Sequence, residues 1–181
     1  ARSLTADAAV YLADYFDAHH MQFRAVAFGR AEEALAAYES GQCLALTGDA
    51  SALYAARLGL ADPGGHAILP EIISKEPLGL VVREGDDAWL DIVRWVHFAL
   101  PDAEERGVTA GNARAARGSE SADVRSLLGV EGSFGATLGL SAEWAYRAIV
   151  AVGNYGEIFD RNLGTGSPMD MPRGLNALWT R

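Results

Sequence analysis

The sequence has a single cysteine, Cys43, among its 181 residues. One cysteine excludes an internal disulfide framework and a multi-cysteine zinc site, so a small, buried apolar residue is its simplest interpretation. Basic residues are also scarce: fifteen Lys and Arg stand against twenty-four Asp and Glu, for a net charge of −9. No stretch gathers the basic side chains into a stripe that could follow a phosphate backbone. We therefore expect no nucleic-acid partner.

Long hydrophobic runs are absent as well. The longest apolar stretches, residues 92–100 and 145–152, are too short to span a bilayer, and Arg94 and Arg147 interrupt them. Residues 1–20 lack a basic start and a continuous apolar run, so we predict no export signal in this chain. Half of the residues are nevertheless hydrophobic, which is enough for one or two domains with a real core.

The amino-terminal part of the chain alternates helical and strand patterns. Asp7 stands where it could cap a helix, and residues 43–47 form a short apolar run typical of a strand buried on both faces of a parallel sheet. This alternation predicts an α/β unit. The predicted helices are residues 8–18, 31–38 and 50–60, and the predicted strands are residues 22–28, 43–47 and 66–69.

A segment with two prolines, residues 70–77, is the predicted boundary between two parts of the chain. Its prolines favour extended backbone and lead into a strand over residues 78–83. Beyond that strand the pattern is almost entirely helical, and Ser141 stands where it could cap one of the helices. The predicted helices are residues 87–100, 112–117, 122–128, 141–152, 155–162 and 175–179.

Few side chains offer chemistry. His19 and His20, with Asp14 and Asp17 nearby, could form a metal cluster, but adjacent histidines point apart, which favours a surface helix end. His66 and His97 have no carboxylate or cysteine at ligand spacing, so structural roles are favoured. The glycines around Ser133 do not make a nucleophile elbow, because Gly132 directly precedes it. We therefore predict no enzyme, no metal site and no cofactor.

Asp49 is the most informative polar residue. It directly follows the predicted strand 43–47 and precedes a predicted helix, which is where open α/β sheets place ligand-contacting groups. A carboxylate there could receive an ammonium group. It could also be an ordinary helix cap that accepts a backbone amide, the interpretation that its position favours. Position alone leaves both interpretations open.

Six stretches of the sequence together resemble the general L-amino-acid-binding proteins of bacterial ABC importers. The resemblance runs from about Val10 to Arg181, and the blocks that begin at Pro70 and Gly153 are long enough to be specific. The six stretches are Leu12-Ala-Asp-Tyr-Phe16, Ala37-Tyr-Glu-Ser-Gly-Gln-Cys43, Thr47-Gly-Asp-Ala-Ser51, Pro70-Glu-Ile-Ile-Ser-Lys-Glu-Pro-Leu-Gly79, Asp91-Ile-Val-Arg-Trp95 and Gly153-Asn-Tyr-Gly-Glu-Ile-Phe159.

The resemblance implies an α/β fold of the type II periplasmic-binding-protein kind. Such proteins have two α/β lobes that close on an amino acid. On this plan residues 1–74 are the α/β unit of the second lobe. Residues 75–181 are a crossing strand followed by the mostly helical return segment of the first lobe. The amino-terminal part of the first lobe is missing from this sequence.

The resemblance also implies a ligand site. The family aspartate that holds the ligand's α-ammonium falls on Asp49, in a pattern that matches at Thr47 and Ser51. The family's Gly-Thr-Thr-Thr-Glu turn, which holds the α-carboxylate, corresponds to residues 5–9. There Thr5 keeps a hydroxyl, but Asp7 brings negative charge to a carboxylate site. The predicted ligand-binding residues are Asp49, Thr47 and Thr5, with the carboxylate side degenerate.

The family context further implies partners and a compartment. We expect a periplasmic protein that binds an amino acid or related small polar solute and works with the membrane subunits of an ABC importer. Cys43 matches a cysteine of near relatives whose oxidised partner is expected just upstream of residue 1, so here it stays unpaired or pairs between chains. The alternative is a truncated interaction domain that binds no amino acid. In that case the apolar helices 87–100 and 141–152 bury themselves against another copy.

Overall fold

The computed structural model describes residues 5–75 and 78–179, with the backbone alone for residues 5–9. The chain divides into two compact units, Ala1–Leu78 and Gly79–Arg181. The sequence analysis places the boundary between residues 74 and 75, and its assignment of the two parts to lobes stays a prediction. The units are described separately below as unit 1 and unit 2.

Unit 1 contains three helices joined by irregular segments. Helix α1 spans Thr5–Ala18, α2 spans Ala31–Glu39, α3 spans Ala50–Leu58, and Pro63–Gly65 forms a single 3-10 turn. Each of these helices confirms a predicted one. The cap predicted for α1 is wrong, because the helix begins at Thr5 and Asp7 lies inside it. Helix propensity at the two alanines beside Asp7 carries the helix past the predicted cap.

The predicted strands are not formed in the part of the chain that the structure describes. Residues 22–28, 43–47, 66–69 and 78–83 are irregular there. A strand exists only when its amides and carbonyls pair with a neighbouring strand, and these segments find no such partner among the described residues. The predicted burial of residues 43–47 on both faces is also wrong, since Leu44 is 97% exposed and Cys43 is only half-buried.

Unit 2 is helical. Its longest helix, α4, begins after Asp86, whose carboxylate accepts a hydrogen bond from the Trp89 amide at 3.1 Å. The predicted end of α4 at Leu100 is wrong, because the helix continues through Pro101. Proline has no amide to donate to the His97 carbonyl, but His97 is exposed to water. The helices are α4 (Asp87–Glu105), α5 (Ala113–Ala116), α6 (Ala122–Leu127), α7 (Phe134–Thr137), α8 (Trp144–Val152) and α9 (Tyr155–Asn162).

The core of unit 2 lies where α4 meets α6, α8 and α9. Ala103 of α4 is fully buried, as are Leu128 and Ile149, and Val108 is nearly so. A small residue on α4 allows close approach of neighbouring helices, and the larger side chains fill the space between them. The large aromatic residues of α4 lie outside this core: Trp89, Trp95 and Phe98 are each about half exposed.

The turn between α8 and α9 is fixed by its sequence. Gly153 ends α8 at φ 85° and ψ 180°, a conformation essentially reserved for glycine. The Asn154 side chain then accepts the Glu157 amide, and the Glu157 side chain accepts the Asn154 amide, both at 2.9 Å. This capping box starts α9 as a helix amino terminus requires.

Two other predictions about unit 2 are corrected. Ser141 does not cap α8, because the helix begins at Trp144 with Glu143 as its flanking residue, and the Ser141 carbonyl accepts the Trp144 amide at 3.2 Å. The predicted helix 175–179 reduces to a 3-10 turn over Gly174–Asn176. A stretch this short cannot support a regular helix without packing. Within residues 5–75 and 78–179, no helix combines the length and apolarity needed to cross a bilayer.

Candidate functional site

Asp49 lies at the flanking position directly before α3 in unit 1. Its carbonyl accepts the Leu53 amide at 2.9 Å, but its carboxylate accepts no hydrogen bond from the helix amides. The helix-cap interpretation of the side chain is therefore wrong. Asp49 is half-buried at the amino end of the helix, where the partial positive charge of the α3 dipole stabilises an anion.

Two arginines of unit 1, Arg30 and Arg57, interact with side chains other than that of Asp49. The Arg57 guanidinium lies 5.1 Å from the centre of the Tyr54 ring, and Arg30 pairs with Glu32 at 3.4 Å. Among the described residues, the Asp49 carboxylate has neither a hydrogen-bond partner nor an ion-pair partner. A half-buried carboxylate without a cation is suited to receive one from a ligand.

The structure gives less information about the other two predicted site residues, Thr47 and Thr5. Thr47 is exposed on the same irregular segment as Asp49, two residues ahead of it. Thr5 is the first residue of α1, and its side chain lies outside the described residues. The structure gives no hydrogen bond that joins Thr47 to Asp49. The ligand role of Asp49, Thr47 and Thr5 therefore stays a prediction.

Two histidines of unit 1, His19 and His66, each contact a tyrosine. The His19 ring stacks on Tyr15 at 4.2 Å, with its Nδ1 atom 2.7 Å from the Tyr15 carbonyl, just past the end of α1. The Tyr38 hydroxyl oxygen and the His66 Nδ1 atom are joined by a hydrogen bond of 2.6 Å. No group of three or more potential metal ligands occurs among the residues described. The surface helix end favoured for His19 and His20 agrees with these contacts.

Unit 2 contains an apolar cleft of about 360 Å³ that the sequence analysis missed. It was missed because α7 has four residues, too few to leave a periodic signal. Aromatic side chains from three helices, α4, α7 and α8, line part of its wall. The principal lining residues are Trp95, Phe98, Leu127, Phe134, Leu138 and Trp144.

Two carboxylates lie at this cleft, and both are already paired. Asp102 accepts from the Arg106 Nε atom at 2.9 Å, and Glu131 accepts from the Arg125 Nε atom at 2.6 Å. The hydrogen bond that Arg106 donates to Asp102 is the main cause that raises the pKa of the Arg106 guanidinium above its usual value. With both charges neutralised, the cleft offers apolar contact rather than acid–base chemistry.

No family model matches the chain. Comparison with curated proteins finds relatives over almost all of it. It is 51% identical over 172 residues to the general L-amino acid-binding periplasmic protein AapJ of Rhizobium johnstonii, which covers 94% of this chain and 50% of that protein. It is 48% identical over 174 residues to the putative amino-acid ABC transporter-binding protein YhdW of Escherichia coli, covering 96% of this chain and 51% of that protein.

Two further similarities point the same way. The glutamate/glutamine/aspartate/asparagine-binding protein BztA of Rhodobacter capsulatus is 46% identical over 171 residues, or 94% of this chain and 51% of that protein. Among solved structures, an ABC transporter periplasmic binding protein from Brucella ovis with glutathione bound matches with a TM-score of 0.84 and 52% identity. That match covers 96% of this chain and 55% of the other.

The fold is accordingly that of a periplasmic binding protein. More narrowly, the chain is homologous to the periplasmic amino-acid-binding proteins of ABC transporters, as its sequence motifs indicate. It spans about half the length of these relatives, which fits the carboxyl-terminal portion expected from the motifs. The relatives are binding proteins and not enzymes, in agreement with the predicted absence of catalysis.

Proposed function

We propose that this chain supplies the half of an ABC-importer solute-binding protein that holds the ammonium group of an amino acid or related small polar solute. The observation that carries the proposal is the Asp49 carboxylate. It is half-buried at the amino end of α3, accepts no amide of that helix and pairs with no cation among the described residues. An ammonium group has three donors and a full charge, so it satisfies such a carboxylate.

The carboxylate of the solute would lie at the amino end of α1. Free amides at a helix start attract anions, and α1 begins at Thr5. Asp7 falls in the same first turn and works against an anion there. We infer a degenerate carboxylate site that binds amino acids less tightly than a site whose first turn carries hydroxyl groups.

The remainder of the longer protein would complete the fold. Residues 1–74 would form the α/β unit of the second lobe, and residues 75–181 the crossing strand and the helical return segment of the first lobe. In the complete protein, residues 22–28, 43–47, 66–69 and 78–83 would pair as strands. The exposure of Leu44 (97%) and Val81 (94%) supports this, because apolar residues of parallel strands are normally buried by a neighbouring layer of the fold.

The proposed setting is the periplasm, with the membrane subunits of an ABC importer as partners. Two relatives support it: AapJ is a general L-amino acid-binding periplasmic protein, and YhdW is a putative amino-acid ABC transporter-binding protein. The Brucella ovis neighbour binds glutathione, a tripeptide that also carries a free ammonium group. Small amino-bearing solutes are therefore the ligand class to test.

Calorimetric titration tests the proposal. The chain is joined to the remaining half of the Rhizobium johnstonii relative and titrated with a panel of amino acids and with glutathione. Asp49→Asn keeps the shape of the side chain and removes its charge, so we expect affinity to fall roughly tenfold to a hundredfold. Asp17→Asn, a matched change at an exposed position of α1, leaves affinity unchanged. Tight binding that survives Asp49→Asn contradicts the site assignment.

The alternative is an interaction domain that binds no amino acid. One observation favours it: Trp89 of α4 is half exposed and lines an apolar hollow together with the exposed Leu80 (69%). Large exposed apolar patches mark interaction surfaces. Light scattering of the isolated chain decides the matter. Concentration-dependent dimers that dissociate in Trp89→Ser support this alternative, and a monomer at all concentrations rejects it.

A further inference from the structure

The last segment of unit 2, residues 163–179, is joined to α4 through one side chain, that of Arg173. We call this segment the strap. Arg173 donates from Nη1 and Nη2 to the two carboxylate oxygens of Glu104 on α4, at 3.0 and 3.1 Å. It also donates from Nε and Nη2 to the Asn176 carbonyl, at 3.1 and 2.7 Å. Arg173 and Glu104 are largely buried, with side chains 22% and 16% exposed.

The same guanidinium lies over two rings of α9. Its central carbon is 5.3 Å from the centre of the Tyr155 ring and 5.1 Å from that of Phe159. The Tyr155 hydroxyl donates to the Asn176 side chain at 3.1 Å, which adds a second link between α9 and the strap. Arg173 therefore joins α4, α9 and the strap through charge, hydrogen bonds and cation–π contact.

Gly156 makes room for this arrangement. A Cβ atom at Gly156 would lie 2.8 Å from Glu104 Oε1 and 3.0 Å from Arg173 Nη1. Any larger residue would push the ion pair off α9. The structure thus gives a physical role to the block from Gly153 to Phe159, whose specificity the ligand site in unit 1 does not explain.

The start of the strap is joined to α9 by its backbone, because the Gly164 and Gly166 amides donate to the Phe159 and Asp160 carbonyls, each at 3.0 Å. Beyond that start the strap is weakly held, by turn hydrogen bonds such as that from the Met171 amide to the Leu163 carbonyl at 2.8 Å. Its large side chains Leu175 and Trp179 are 68% and 86% exposed. The buried apolar cluster of unit 2 is built by residues 103–149, ahead of the strap. Opening the strap would therefore leave that cluster in place.

We propose that the strap opens and closes as one segment, and that Arg173 is the latch that keeps it closed. Segments with few buried contacts open locally at lower free energy than the core. If Arg173 is removed, Glu104 lies largely buried without a counter-charge as long as the strap is closed. That cost favours the open form of the strap. Opening uncovers the ring faces of Tyr155 and Phe159.

Hydrogen exchange measured on the whole chain by mass spectrometry tests this proposal. In Arg173→Leu, amides of residues 163–176 exchange roughly tenfold to a hundredfold faster, while those of α4 and α8 keep their wild-type rates. Arg114→Ala removes an exposed arginine of α5 and changes neither set. The double variant Glu104→Arg with Arg173→Glu restores slow exchange in the strap, because the pair is re-formed with its charges exchanged.

Two results overturn the proposal. Unchanged exchange in the strap of Arg173→Leu shows that Arg173 is not the latch. Equal acceleration in the strap and in α8 shows that the strap unfolds only with the unit. Should Arg173→Leu fail to fold, Glu104→Gln is measured instead and scored in the same way, because it removes the charge of the partner and retains its shape.

Discussion

The Asn154 side chain donates a hydrogen bond to the Val108 carbonyl at 2.9 Å, across 46 residues of sequence. Asn154 is 5% exposed and starts α9. The Ala110 amide donates to the same Glu157 carboxylate that Asn154 engages, at 3.0 Å. One asparagine therefore fixes both the start of α9 and the loop that follows α4.

Removal of this asparagine should destabilise unit 2. Asn154→Ala leaves the Val108 carbonyl and the Glu157 amide without partners, so the free energy of unfolding falls by about 3 kcal/mol. Asn162→Ala, at an exposed position near the end of the same helix, costs about 0.5 kcal/mol or less. Urea denaturation followed by tryptophan fluorescence measures both, because all four tryptophans lie in unit 2. Equal midpoints for the two variants would contradict the role given to Asn154.

A pair of glycine substitutions separates backbone strain from crowding. Gly153 and Gly139 both have positive φ, at 85° and 68°, but only Gly153 is crowded: its Cβ would lie 2.8 Å from that of Glu157. Gly139→Ala should cost about 1 kcal/mol from its left-handed backbone alone. Gly153→Ala should cost about 3 kcal/mol, because its backbone region is less accessible to alanine and its neighbour must move. The same fluorescence denaturation measures the free energy of unfolding of both variants. Similar losses in Gly139→Ala and Gly153→Ala would argue against the crowding at Gly153.

Ile149 tests the position of the core. It is fully buried on α8, whereas Val150 on the same helix is 46% exposed. Ile149→Ala creates a cavity and should lower the unfolding free energy by about 3–4 kcal/mol. Val150→Ala should lower it by less than about 1 kcal/mol. Calorimetric melting measures both variants. A small loss of unfolding free energy in Ile149→Ala would contradict a core at this position.

Local signals in the sequence predict the helices well. Helix α2 ends at Glu39, since Gly41 just beyond it takes a positive φ of 76°. Helix α9 begins at Tyr155 because Asn154 and Glu157, three residues apart, form its capping box. Strands depend on partners that are distant in sequence, so the pattern at residues 43–47 cannot form one without a neighbour. The end of α4 was misplaced for another reason. Pro101 lies inside α4 and leaves the carbonyl of His97 without a helix donor, at a residue that is exposed.

The candidate site was predictable in part. Asp49 could be located from its place between an apolar run and a helix, but its cap role could only be rejected by geometry. Arg173 and Glu104 gave no signal, because their meeting depends on the way that α4, α9 and the strap pack. Charged residues 69 positions apart carry no periodicity that a single sequence reveals.

The most direct test of the central claim pairs Asp49 with the ligand's ammonium group. Calorimetry gives four affinities for the chain joined to the remaining half of its relative: wild type and Asp49→Asn, each with an amino acid and with its N-acetyl derivative. The account predicts that acetylation weakens binding to the wild type roughly tenfold or more and hardly changes binding to Asp49→Asn, because the same interaction is lost in both. Equal losses on acetylation in the two proteins would contradict it.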